Sequence, residues 1–367
     1  MEEDTKALDE VIVVGYGTTS KRKTTAAIAS VNAEDIAKVP TANITQSLAG
    51  RAPGLIVNTS GGGINNYSSI SIRGGATPLF VIDDVICEER DFRNLNPEDV
   101  EQMSVLKDAA STAVYGARAA YGVVLVTTKS GRQEKTRVSY RGTVGFSSPI
   151  NMPEMMNSLE FAKYVNERND NDGVNHKFSD ALIEKMEGFM KNPYSAEFPG
   201  IGPNQNGTDW ASSMDAVYAN TDWFDYYFKD TAIRHSHNLS VTEGSEKFNY
   251  YVGLGYTYQD GLLDKVDDNL SKYNVNTKFQ IIANKWLKFN FNNNLSLNIL
   301  KRPMANQTIF YGTIGSSFPN SPTHLPVKSE YNDNSEYRYL KQSHYVQNRI
   351  SDAMSFATTI TRWKLDM

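Results

Sequence analysis

Beyond residue 134, apolar and polar positions alternate with a period of two. Between Lys247 and Tyr258, the residues Phe248, Tyr250, Val252, Leu254, Tyr256 and Tyr258 alternate with Lys247, Asn249, Tyr251, Gly253, Gly255 and Thr257. Successive side chains of a strand point to opposite faces, so this spacing predicts a strand with one apolar face. The twelve residues reach about 40 Å at ~3.4 Å each, enough to cross a bilayer even when tilted. Arg137 to Phe146 repeats the pattern with Val138, Tyr140, Val144 and Phe146, and so do Tyr273, Val275, Phe279 and Ile281. Leu287, Phe289, Phe291, Leu295, Leu297 and Ile299 form a further set, and a shorter strand is predicted around Asn238 to Thr242. Connections alternate as well. About 85 residues follow the first strand, the turn Glu243-Gly244-Ser245 follows the second, Asp260 to Asn269 the third, a turn near Asn284 the fourth, and a long segment from Leu300 to about Tyr345 the fifth. Short turns on one side and long loops on the other are the layout of an outer-membrane barrel. A soluble antiparallel sheet also alternates, but its strands average ~5–6 residues and so long a loop is foreign to it.

Residues 9 to 130 have a different texture, with short β-branched runs, Ala-rich stretches and glycine turns, as in a compact α/β module. Val11 to Val14 is an extended apolar run closed by Gly15-Tyr16-Gly17. Ala33 to Lys38 and Asn43 to Leu48 read as helices, stopped before Pro40 and at Gly50. Leu55 to Asn58, Ser69 to Arg73, Pro78 to Asp83 and Gly122 to Thr128 read as strands. Asn96-Pro97-Glu98-Asp99 is a helix opening, since Asn caps, Pro suits the first turn and carboxylates favour the positive end. A second helix is predicted from Asp108 to Tyr115.

Composition narrows the function class. The 37 Lys and Arg against 42 Asp and Glu leave a net charge of −5, which argues against a nucleic-acid partner. Mean hydropathy is −0.46. The absence of an apolar run near ~18 residues excludes a spanning helix but not a barrel, whose lumen-facing half is polar. Cys87 alone rules out an internal disulfide framework and multi-cysteine zinc patterns. Met1 to Leu8 is charged and lacks a signal-peptide core, so either that segment has been removed or the native start lies elsewhere.

Candidate chemistry is sparse. Gly15-Tyr16-Gly17 with Lys21 lacks the phosphate-loop spacing, and Gly61 to Gly63 and Gly74-Gly75 read as turns. Asp170, Asp172 and Gly173 mimic the middle of a calcium loop, but Arg168 and Ser179 occupy its first and last ligand positions. His235 and His237 share a strand face without a third ligand, and the adjacent Asp83 and Asp84 point to opposite sides. No nucleophile with its base is evident. The expectation is no enzyme, no cofactor and no metal.

Several stretches carry a resemblance. Leu8 to Gly17, Ser71-Ile72-Arg73-Gly74, Pro78 to Asp83, Val105 to Arg118 and Gly122 to Gly131, in this order, resemble the plug of SusC/RagA-type TonB-dependent outer-membrane transporters. Asp222-Trp223-Phe224-Asp225, His237 to Val241 and Gly244 to Lys247 resemble the family's early barrel, with a weaker echo at Pro322 to Val327. The implied fold is an α/β plug domain followed by the N-terminal strands of an antiparallel transmembrane β-barrel. Complete members are expected to have 22 strands, of which five or six are present here. The implied organisation is an N-terminal segment with a TonB box (1–19), a plug (20–133) and a partial barrel with long extracellular loops (134–367). The implied function is outer-membrane import of large nutrients, oligosaccharides or peptides, with a SusD-like surface lipoprotein as lid and TonB as energy source. Asp9, Glu10, Val11, Ile12, Val13 and Val14 look like the TonB box, and a β-branched run of this kind adds as a strand to a partner's sheet. Its alternative is a first plug strand. Arg73 and Gly74 belong to the plug motif. Trp210, Trp223 and Tyr226 are the candidates for stacking on a sugar, with loop packing as the alternative.

The sequence departs from the family in places. Asp84 stands where Gly is common and Tyr121 where Asn is common, so local turn geometry is expected to differ. The resemblance implies a signal peptide and a small N-terminal extension before residue 9, and Met1 to Leu8 reads as neither. Five or six strands leave open sheet edges that lipid cannot satisfy, so the chain by itself is not expected to form the transporter. Phe356 to Met367 fits no family strand and points to truncation or a shifted frame. A non-transporting remnant and a soluble surface glycan-binding protein are the rival readings.

Overall fold

A computed structural model of the chain describes residues 28–39, 41, 43–59, 63–64, 68–202, 216–264, 267–284, 286–301 and 319–320, with the backbone alone of 11–13, 18–20, 359–360 and 364–366. The first elements are the short strands β1 (Val11–Val13) and β2 (Thr18–Ser20), paired antiparallel. The plug follows as β3 (Ile28–Asn32), α1 (Ala33–Ala37), α2 (Ile44–Ser47), β4 (Leu55–Thr59), β5 (Ser68–Ile72), β6 (Leu79–Ile82), β7 (Val85–Cys87) and α3 (Glu89–Asn94). A 3-10 turn (Pro97–Asp99), β8 (Val100–Leu106), α4 (Ala109–Thr112), a second 3-10 segment (Ala113–Ala119) and β9 (Val123–Thr128) complete it.

The plug is a five-stranded mixed sheet, order β3-β8-β9-β6-β7, with the β4-β5 hairpin beside it. Among the described strands only β6 and β9 pair in parallel. β9 is apolar on both faces, because Val124 and Val126 enter the core formed with the helices and the β4-β5 hairpin, which unites Ile36, Ile44, Leu48, Leu55, Ile70, Phe80, Phe92, Met103 and Val105, while Val123 and Leu125 pack with Leu106 and Ala119 on the other side. Phe80 stacks on Phe92 at 4.8 Å. Local caps place the helices. The side chains of Asn32, Asn43 and Asp108 accept from backbone N–H groups of α1, α2 and α4.

One expectation is corrected here. Asn96 does cap, accepting from Glu98 N–H, but the helix it opens is a single 3-10 turn. The chain then enters β8, because Val100, Met103, Val105 and Leu106 are all needed in the core between β3 and β9. The helix at Asp108 is likewise short, giving way to 3-10 geometry with a break at Gly116 (φ 65°).

The barrel wall is β10 (Arg137–Ser147), three loop helices α5 (Ser158–Asn171), α6 (Asp180–Lys191) and α7 (Trp223–Tyr227), and then the long strands β11 (Ala232–Gly244), β12 (Phe248–Asp260), β13 (Asn269–Asn284) and β14 (Leu287–Lys301). These five strands form an antiparallel meander, with the short β15 (Thr359–Ile360) and β16 (Lys364–Asp366) against β14. The described strands form an open sheet, not a closed barrel. β11 is longer than expected, beginning at Ala232 and pairing with β10 as far as Thr242. The long loop after β10 is also structured. Leu182, Met186 and Phe189 of α6 recur at i, i+4 and i+7 and pack on Ala162 and Val165 of α5.

The inward face of β12 carries Tyr251, Gly253 and Gly255, as the alternation predicts. The outward face carries Leu254, 44% exposed and level with Leu239 and Val275. Aromatic rings flank that band. Tyr256, Tyr258 and Tyr273 sit toward one end, Phe248, Phe279 and Phe291 toward the other. In the assembled barrel, Leu254→Arg should therefore lower stability by ~2–4 kcal/mol, whereas arginine at a strand end should cost ~0–1. A denaturant titration in lipid vesicles measures both.

Candidate functional site

The site is the seat of the plug on the wall. Its plug side is the segment from α3 to the 3-10 turn, whose short, capped elements leave several carbonyls and carboxylates facing outward. Its wall side is the polar, inward half of β10 to β14.

Six wall residues hold this plug segment. Tyr251 Oη donates to Asp99 Oδ1 at 2.8 Å, and Asn96 Nδ2 donates to Asn238 Oδ1 at 2.9 Å. Gly253 and Gly255 make these contacts possible, since a Cβ at either would collide with the Asp99 or Asn96 side chain. Arg141 pairs with Glu98 at 3.1 Å. Lys272, buried, donates to the carbonyls of Arg93 and Leu95 at the C-terminal end of α3, where cations are favoured. Asn274 Nδ2 donates to Asn94 O and Asn298 Nδ2 to Asn94 Oδ1, both at 2.8 Å.

A second knot lies at the β6-β7 turn. Asp83 and Asp84 have φ of 47° and 66°, the left-handed pair that a tight hairpin needs. Asp tolerates that region better than most residues. Asp83 accepts from Thr128 N–H at 2.8 Å and from Thr128 Oγ1 at 2.7 Å. Lys278 of β13 reaches both, touching Asp83 Oδ1 at 2.8 Å and Thr128 O at 2.9 Å. Arg132, just past β9, pairs with Glu101.

Electrostatics single out Asp99. Burial pushes its carboxyl up from 3.8 to about 6, while the Tyr251 hydroxyl and Lys129 pull it back; Glu98 and Lys278 also face it. A raised pKa means the seated plug binds the proton more tightly than the unseated one. The stabilisation is complete below about 3.8 and is lost as pH rises through about 6. Plug seating should weaken by up to ~3 kcal/mol between pH 4 and pH 8, at ~1.36 kcal/mol per unit. Limited proteolysis of the plug across that range checks this, and Asp99→Asn should flatten the profile.

The residues singled out from sequence fall in different places. Asp9, Glu10 and Val14 lie outside the described residues, while the backbone of Val11–Val13 is extended against Thr18–Ser20. Arg73 and Gly74 form a left-handed turn after β5, with φ of 53° and 75° and Arg73 N–H bonded to Gly54 O. Trp210 lies outside the described residues. Trp223 is corrected to a core residue. It is 1% exposed, stacks on Tyr227 and meets Tyr226 edge-on, so its ring offers no platform to a sugar. Tyr226 is half-buried in the same cluster. His235 and His237 lie outward among Tyr140, Tyr256 and Tyr258. The seat residues Asp83, Asp99, Lys272 and Lys278 were not identified as a site from sequence. The inward glycines of β12 were the available signal, because they mark a close approach by another backbone or side chain.

Residues 20–123 match the family model of the TonB-dependent receptor plug domain. TonB-dependent receptor P26 of Formosa agariphila is 31% identical over 343 residues, covering 90% of this chain and 30% of that protein. TonB-dependent receptor SusC of Bacteroides thetaiotaomicron is 29% identical over 316 residues, 78% of this chain and 27% of SusC. The chain thus spans about 30% of the length of the curated relatives it matches. Among solved structures, the RagAB peptide importer in its open-open state superposes with a TM-score of 0.62 at 29% identity, covering 81% of this chain and 33% of that one. Receptors of this type are outer-membrane proteins. With a plug domain, an inward polar wall that seats it and an outward aromatic-banded face, the chain belongs to the SusC/RagA-type TonB-dependent receptors, of which it supplies the plug and the first strands of the barrel.

Proposed function

We propose that the receptor built on this chain imports large nutrients, oligosaccharides or peptides, through the outer membrane, with a SusD-like lipoprotein over its extracellular loops and TonB drawing on residues 9–14. The role is transport, not catalysis. The observation that carries this reading is the chemistry of the seat. A permanently fused plug would bury apolar surface against the wall, whereas here the contacts are mainly hydrogen bonds and ion pairs. The neutral hydrogen bonds among them exchange for water at little net cost, about 0.5–1.5 kcal/mol each, so much of the obstruction is one that an applied force can loosen. The loops fit a lid partner. The helices α5 and α6 and the cluster around Trp223 form a folded lobe beyond the wall, tied to the end of β12 through Lys229 and Asp260 at 2.8 Å and to the loop after it through Lys229 N–H and Leu262 O.

In this reading β10, β12 and β14 run outward, which puts α5 to α7 outside the cell and Glu243–Ser245 in the periplasm. The test is to delete the receptor, offer cells labelled oligosaccharides and oligopeptides in turn, and purify the tagged receptor from outer membranes. Loss of uptake of one class and recovery of a surface lipoprotein are expected. Unchanged uptake of every class, with no lipoprotein recovered, would sink the proposal.

A further inference from the structure

Between the β13-β14 wall and the plug elements β6, β7 and α3 lies a cavity of about 190 Å³, lined by Asp83, Cys87, Asn94, Asn276, Asn292 and Asn294 among others. It sits on the side of the Asn94 contacts nearer the β13-β14 turn. Its wall is a patch of side-chain amides: Asn276 on β13 and Asn290, Asn292 and Asn294 on β14. Asn276 is 2% exposed, yet its Nδ2 donates to nothing in the protein. A buried donor left open in this way costs ~1–3 kcal/mol, which a ligand or water entering the cavity would recover.

We propose that this cavity is a binding station for one ring of a neutral, hydroxyl-rich cargo, a sugar unit passing between plug and wall. The proposal rests on the import reading above and narrows it to oligosaccharides. Size fits, because a cavity of ~150 Å³ already accepts a six-membered ring. Polarity fits too. Empty cavities of that size stay dry when apolar, but amides line the wall side of this one, opposite Ile82, Val85 and Leu95 of the plug, and an amide carries a carbonyl acceptor and two N–H donors, the complement of neighbouring hydroxyls. Charge disfavours the alternatives. Asp83 is engaged by Lys278 and Thr128, and Asp91 accepts from the N–H of Glu88. An acidic sugar or a peptide carboxylate would therefore enter without a counter-charge and beside the Asp91 carboxylate, at a large desolvation cost.

Cys87 is the one cysteine of the sequence and lines the cavity, so it reports occupancy. The purified whole receptor is treated with a maleimide in the presence of D-glucose, D-galactose, L-rhamnose or tri-alanine, with Cys87→Ser subtracting labelling elsewhere. At least one sugar should slow labelling several-fold and tri-alanine should not. Asn276→Leu and Asn292→Leu should remove the protection while leaving the sugar-free rate unchanged, which separates a lost ligand from a lost fold. If Cys87 proves unreactive, Asn294→Cys in the Cys87→Ser background must give the same result. Failure of all three sugars to protect, or equal protection by tri-alanine, overturns the station. Oligosaccharide uptake without protection overturns the station and spares the import reading, whereas protection without uptake of any nutrient does the reverse.

Discussion

Val13→Pro should reduce nutrient uptake by the assembled receptor to background while leaving barrel assembly and plug seating unchanged. β1 is a three-residue strand whose partner is β2, and among the described residues its other edge is unpaired. An open edge presents unpaired N–H and C=O groups, onto which a partner sheet can add a strand. Proline removes a donor and fixes φ, which breaks such pairing wherever it needs that residue's N–H. Val13→Ala keeps the backbone and should retain uptake, because a pull carried by backbone bonds is insensitive to the side chain. The comparison needs uptake, heat-modifiability of the barrel and co-precipitation of TonB. Retained uptake in Val13→Pro would place the coupling segment elsewhere, and loss in both variants would point to a side-chain pocket instead of strand addition.

How far the structure was legible follows from what each element depends on. The phase of β12 was readable because lipid and plug impose opposite demands on alternate residues, and Gly253 and Gly255 fell on the side where Asp99 and Asn96 now stand. The first half of β11 was not. Its outward positions include His235 and His237, which pack among tyrosine rings but count as polar, so the alternation vanished there. β8 was hidden for the opposite reason. The Asn96-Pro97 signal is genuine but purely local, and only the demand for a central strand between β3 and β9 ends the helix after one turn. α5 had a readable start, with Asn157 and Glu160 forming a capping box, but lay inside a stretch read as a single loop. The seat was beyond reach, because its partners are far apart in sequence. Asp99 and Tyr251 are separated by 152 positions, and no periodicity in either segment names the other.

The seat itself divides unevenly along the plug. The described polar contacts with β10 to β14 come from residues 83–128, whereas the earlier plug elements meet the wall through Ile64 against Leu270 and Leu300. The Lys278 knot is the part of this seat whose loss is hardest to offset. Its ammonium is nearly buried, with 11% of the side chain exposed, and it neutralises a carboxylate that is itself 17% exposed.

Lys278→Met should accordingly destabilise plug seating by ~3–5 kcal/mol, since removing one partner of a buried pair leaves the other charged and uncompensated. Asp83 would keep its two bonds from Thr128, which moderates the loss without supplying a positive charge. The double variant Asp83→Asn with Lys278→Met removes the orphaned charge. Asn is the replacement of choice, because it tolerates the positive φ of position 83 and still accepts from Thr128 N–H. It should recover ~1–3 kcal/mol of the loss, and a double-mutant cycle isolates that coupling. Protease cleavage of the plug in the membrane-embedded receptor, read against denaturant, supplies the four free energies. Additive effects of the two substitutions would show that Lys278 acts through Thr128 O alone and that the knot is not an ion pair in energetic terms.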